Sequence, residues 1–157
     1  MDDLKALIEQ LELEPHPEGG FYRETYRSAS QFNSSNRDLA TAIYFVLTHE
    51  NVSNFHRIAS DELWFFHFGS PVTIHLLDKE NGHRQIALGN DFSAGQVPQF
   101  CVEAGTIFGS SVDIPNGYAL VSCVVAPGFD FADFELFERQ ALLNDYPEHQ
   151  SIIDRLT

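Results

Sequence analysis

Between Gly20 and Ala126 the hydropathy of this chain alternates with a period of two, in short β-branched and aromatic segments. These are FYRETYR, TAIYFVLT, SNFHRI, ELWFFHF, VTIHLLD, HRQIALG, PQFCVE, TIFGSSV and YALVSCVVA. Between them stand NSSNRD, GSP, KENGH, GNDFSAG, EAG and PNG, rich in the residue types that reverse a chain. A strand needs a bonded neighbour, and a parallel neighbour needs a crossover of roughly a dozen residues, usually a helix. No helical stretch intervenes. The pattern therefore predicts an all-β fold of antiparallel strands closed as a sandwich or barrel.

The helical period returns only at the ends. Leu4, Leu7, Ile8 and Leu11 recur at three- and four-residue spacing behind Asp2 and Asp3, which read as an N-cap and a favourable first-turn charge. EPHPEGG then stops that helix, and its glycine pair reads as a chain reversal. DFELFERQALLNDY places Phe134, Phe137, Ala141 and Leu142 on one face, and PEHQSIIDRLT adds Ile152, Ile153 and Leu156. Both segments predict helices packed outside the barrel, with PGFDF seating them by burying Phe129 and Phe131. No repeat or linker divides the chain, so residues 1–157 read as a single domain.

With 43% hydrophobic residues and 14 phenylalanines, 157 residues can fill a core. The net charge of −14 argues against nucleic acid as a partner, since binding it means neutralising phosphates. No apolar run suffices for a membrane span and the N-terminus is no basic leader, so a cytoplasmic protein with no membrane partner is expected. Cys101 and Cys123 lack CxxC spacing and read as buried small hydrophobes. Arg23, Arg27, Arg37 and Arg57 lie close together in sequence, in a middle section whose charge is nearly balanced. They can form a local site for an anion or pair with Glu24, Asp38 and Asp61.

NFHRIASDELWFFHFG, residues 54–69, carries the chemistry. The stretch resembles the first motif of the cupin superfamily, G-x5-H-x-H-x3,4-E-x6-G. His56 takes the first histidine, Glu62 the glutamate and Gly69 the final glycine, while Ile58 replaces the second histidine and Glu50 the opening glycine. The second cupin motif, laid on VEAGTIFGSSV, keeps only Gly105; its histidine becomes Phe108. HPEGGFYRETYRS, IYFVL, HRIASDELW and PGFDF are similar to an uncharacterised cupin family. That resemblance implies a double-stranded β-helix, or jelly roll, often dimeric, and it implies no established reaction.

A catalytic zinc or iron site commonly uses three protein ligands. In this register only His56 and Glu62 remain, with alkyl and benzyl groups at 58 and 108. His67 alternates to the outer face, and the direction of His75 stays open. The expectation is a barrel pocket without metal or other cofactor, lined by His56, Glu62, Trp64 and Phe108, with Tyr44 and Tyr118 joining. GGFYRETY is similar to the G-x-F-x-E strand of the dTDP-sugar epimerases, which share the cupin fold. That resemblance implies Arg23 and Glu24 at the ligand, His56 as base, Asp61 or Glu62 as its orienter, and Tyr118 or Tyr44 as acid. The reaction implied is epimerisation or isomerisation of a sugar or sugar nucleotide. A non-catalytic module binding a small polar or anionic molecule is the alternative, with Arg23 or Arg57 fixing a charge. A metal-dependent cupin enzyme is the third reading, and open strand edges favour a homodimer.

Overall fold

The computed structural model describes residues 2–33 and 36–157. A helix, α1 (Asp2–Gln10), precedes a two-residue strand β1 (Glu14–Pro15) and β2 (Phe21–Arg27). Then come β3 (Thr41–Thr48), β4 (Val52–Arg57), β5 (Asp61–Gly69), β6 (Val72–Asp78) and β7 (Gly82–Leu88). After them run β8 (Gln99–Val102), β9 (Ile107–Val112), β10 (Tyr118–Ala126) and the short β11 (Glu135–Leu136). Two helices, α2 (Arg139–Asp145) and α3 (Gln150–Arg155), complete the chain. Residue 1, and Ser34 and Ser35 of the NSSNRD stretch, lie outside the described residues, while Asp2 and Asp3, expected at the N-cap and first turn, both fall within α1. No described helix is long and apolar enough to cross a membrane.

The strands form two antiparallel sheets, in the orders β1-β2-β3-β10-β5-β8 and β11-β4-β9-β6-β7. This is the jelly roll that the resemblance implies. Alternation supplies the core: Phe45, Leu47, Trp64, Val72, Ile74, Leu76, Phe108 and Val121 turn inward and meet between the sheets. The opposite face of the second sheet is covered by the C-terminal helices. There Phe55, Leu77 and Ile107 bury Leu142, Tyr146, Ile153 and Leu156. His75 shares the parity of Leu77, so it faces this outer layer and bonds His83 and Ser111 at 3.0 Å each.

Two expectations change. Phe134 and Phe137 are not on a helix, because residues 135–136 add to the edge of β4, with Glu135 opposite Arg57 and Leu136 opposite His56. Edge pairing offers this backbone hydrogen bonds that outweigh the local helical period. Cys101 is exposed on β8, which ends its sheet as an edge strand, whereas Cys123 is buried.

Candidate functional site

A cavity of about 400 Å³ opens at one end of the barrel, between β2, β3, β4, β5 and β10. The elements deliver its walls by simple parity. From β2 come Tyr22 and Glu24, and a bulge between Glu24 and Tyr26 then brings Arg27 onto the same face. β10 gives Cys123 and Val125, β4 gives His56, and β5 gives Glu62. Phe129, Asp130 and Phe131 form part of the mouth.

The HPEGG segment supplies the group that sequence reasoning missed. Gly19 has φ +109°, and a Cβ there would lie 1.9 Å from the Val52 carbonyl oxygen; Gly20 has φ +77°, and a Cβ there would lie 2.7 Å from the Val46 carbonyl oxygen. Only glycine permits both the dihedrals and the approach. The loop thus docks on β4, where Asn54 N–H donates to the Glu18 carbonyl at 2.8 Å. Docking carries His16 and Glu18 into the cavity. The legible signal was the tight PEGG spacing beside a histidine, read above as a plain turn.

His56 and Glu18 meet at the cavity floor, with Nε2 3.1 Å from Oε2 and side chains 2% and 9% exposed. His56 Nδ1 lies 2.7 Å from the Asn54 carbonyl, which can only accept, so this nitrogen carries a proton. The Nε2 to Oε2 contact then needs one proton shared between the two groups. Burial decides its place: it raises the pKa of Glu18 and lowers that of His56. Both directions favour a neutral imidazole accepting from a protonated carboxyl. Ser53 Oγ donates to the other Glu18 oxygen at 2.9 Å. His16 accepts the Glu18 N–H on Nδ1 at 3.1 Å, so its proton sits on Nε2, and burial lowers its pKa.

Glu62 is 8% exposed and lines the same cavity. Burial is the main cause that pushes its pKa up to about 7, with the neighbouring Glu18 carboxyl acting in the same direction and His56 opposing it. No described side chain forms an ion pair with Glu62. The Cys123 thiol and Trp64 indole lie beside its carboxyl, and the buried Trp64 Nε1 has no hydrogen-bond partner of ordinary geometry.

The structure brings together His56, Glu62 and Glu24 among the expected residues. Trp64 and Phe108 lie beneath the cavity in the core: Phe108 packs 4.2 Å from the His56 ring, and Trp64 stands edge-on to Phe108 at 6.3 Å. Four expected residues are elsewhere. Tyr118 sits at the opposite end of β10, paired with Thr48, whereas the cavity residues Cys123 and Val125 pair with Ile43 and Thr41. Tyr44 turns outward because its neighbours Ile43 and Phe45 face in; its ring lies 6.4 Å from His67. Arg23 alternates outward with it, over the Tyr44 ring at 5.9 Å and 2.7 Å from Glu12. Arg57 points away from its neighbour His56, to Glu135 and the Phe137 ring. Phe131, expected to be buried, is 51% exposed at the mouth, and Phe134 lies 5.4 Å from the His56 ring.

The cupin metal set does not fit these residues. Ile58 is 4% exposed and Phe108 1%, and both present only carbon. His56 has one nitrogen on a carbonyl and the other on Glu18. Among the described residues no group of three or more His, Cys, Asp and Glu is disposed to hold an ion.

Comparison with known proteins agrees with this fold. The family described as Cupin superfamily (DUF985) matches residues 5–137. The uncharacterised protein YML079W of Saccharomyces cerevisiae is 30% identical over 149 residues, covering 83% of this chain and 73% of the relative. Protein SO0799 from Shewanella oneidensis is 46% identical with a TM-score of 0.92, covering 98% of this chain and 96% of that one. A hypothetical protein from Leishmania major is 38% identical with a TM-score of 0.90, covering 98% and 97%. Oxalate decarboxylase of Bacillus subtilis shares the fold alone, at 12% identity and a TM-score of 0.59 over 96% of this chain and 38% of its own. With the family matched over most of its length, the chain belongs to the cupin superfamily, in family DUF985.

Proposed function

We propose that the cavity binds a small polar organic molecule, sugar-like in size, and moves a proton on it as an isomerase or epimerase. The supporting observation is the buried Glu18–His56 pair holding a proton beside a second carboxyl, Glu62, whose pKa lies near neutral. General acid–base catalysis works best with groups tuned to the working pH. In this reading Glu62 accepts the proton from carbon next to a carbonyl. The carbonyl oxygen takes the proton shared by Glu18 and His56, giving an enediol; Glu62 then returns its proton to carbon while an enediol hydroxyl gives a proton back to the Glu18–His56 pair, so both groups end as they began. His56 serves on the acid side, because its single lone pair already faces Glu18. Arg23 faces away from the cavity, so nothing supports the sugar-nucleotide form of this reading.

Proton NMR in deuterium oxide with a panel of aldoses and ketoses tests it. A bound sugar should exchange a carbon-bound proton, and E62Q should abolish the exchange. Binding without exchange would instead favour a non-catalytic module. That second reading draws on the internal satisfaction of Glu18, whose two oxygens already meet Ser53 and His56.

We also propose a homodimer. β1 pairs only with residues 21 and 22, leaving the β2 edge from Arg23 to Arg27 without a strand partner among the described residues. A second copy can extend that edge. Sedimentation analysis should give twice the chain mass, and a monomer would refute it.

A further inference from the structure

We propose that the ligand of this cavity carries a positive charge: a small amine on a polyhydroxy frame, its ammonium held by carboxylates and aromatic rings. The inference rests on the small-molecule reading above and names the class of molecule.

The lining is biased in sign: it holds five carboxyl groups, Glu14, Glu18, Glu24, Glu62 and Asp130, and one guanidinium, Arg27; with Glu24 paired to Arg27, Asp130 to Arg37 and Glu18 holding its proton, Glu14 and Glu62 are left without a cationic partner among the described residues. Arg27 is already spent. Its Nε and Nη2 donate to both oxygens of Glu24 at 2.9 and 2.7 Å, and its Nη1 donates to Asp38 at 2.8 Å. An anionic ligand would have to break that fork or enter without a counter-charge. Glu62 is the opposite case. It is more than nine-tenths buried and lines the cavity, and no described cation meets it. An ammonium entering here removes the cost of ionising Glu62. An anion would raise that cost, because like charges in a desolvated site repel strongly.

The rings give a second, independent reason. Phe131 is 51% exposed, a large apolar side chain left open at a cavity mouth. It stands edge-on to Phe129 at 4.9 Å and stacks with His16 at 6.3 Å, and His16 in turn meets Tyr22 at 4.4 Å. Rings around acidic groups are the arrangement that holds ammonium ions, through ring quadrupole and carboxylate together. They offer nothing to a hydrated inorganic cation, which requires oxygen ligands.

Three six-carbon chains that differ in charge test the inference on the full-length protein: 1-amino-1-deoxysorbitol, sorbitol and gluconate. Isothermal titration should find the amine bound about tenfold or more tighter than sorbitol, with gluconate weakest. E14Q and E62Q should each reduce that preference, with circular dichroism checking that both remain folded. Equal binding of amine and sorbitol overturns the inference, as does preference for gluconate. Failure of all three to bind overturns it too, while deuterium exchange with neutral sugars still decides the parent reading. Magnesium chloride stabilising the protein as much as the amine does would show a plain cation site and overturn it as well. If the amine binds tightly but no amino sugar exchanges a proton, the inference stands and the enzymatic reading falls.

Discussion

Glu62 has a folded pKa of about 7 against 4.5 for the free side chain. Between those values the folded state keeps a proton that the unfolded chain has released. Its contribution to stability is therefore complete below pH 4.5 and lost as pH rises through 7, by up to about 3 kcal/mol. E62Q has no such proton to lose. Urea melts across pH should show the variant gaining on the wild type from pH 4.5 to 7 and exceeding it at pH 8. Glu18 makes a different case, because Ser53 and His56 occupy both its oxygens. A glutamine there can still accept from Ser53 and donate to His56. E18Q should change stability by less than about 1 kcal/mol in the same melts yet eliminate deuterium exchange, since the amide has no proton to transfer.

The strands were legible because each carries its own alternation, and β2, β3, β6 and β10 occupy the residues whose pattern predicts them. β11 was not. Phe134 and Phe137 are three apart, as on a helix, and only the open edge of β4 makes residues 135–136 extended. The cupin-motif register singled out His56 and Glu62 and the epimerase resemblance Glu24, and all three line the cavity. Parity failed for Tyr118, where position along β10 mattered, and Tyr44 was expected inside although its strand neighbours turn inward. The larger omission was HPEGG, since a glycine pair reads as a turn in any sequence and its docking against Val52 exists only in the fold. That docking can be measured. G19A forces a Cβ against the Val52 carbonyl at a positive φ, and thermal melts should show a loss of about 2 to 4 kcal/mol together with loss of ligand response. G105A has positive φ and open space around it, so it should cost only about 1 kcal/mol and leave the cavity intact.

Across the whole molecule two buried groups oppose each other with pH. His75 lies on the far side of the second sheet from the cavity. It faces His83 and Ser111 at 3.0 Å, with Asp113 and Arg155 nearby, and burial with the His83 charge lowers its pKa to about 4. Its folded pKa is depressed below 6.5, so the unfolded chain binds the extra proton and stability is lost as pH falls from 6.5 through 4. Glu62 acts in the reverse sense over nearly the same range. Over about pH 4.5 to 6.5 these two contributions therefore oppose each other, superimposed on those of Glu18, His16 and His56. H75Q should uncover the decline toward neutral pH due to Glu62, and E62Q the decline toward acid due to His75; parallel curves for all three proteins would refute the compensation. The account as a whole depends on the proton held between Glu18 and His56 at the floor of the barrel. Nitrogen-15 NMR of the His56 ring through a pH titration observes that proton most directly. The account predicts a neutral ring, protonated on Nδ1 with Nε2 accepting, unchanged from pH 8 to below 6. A His56 that titrates near 6.5 like a free imidazole, or that carries its proton on Nε2, would contradict it.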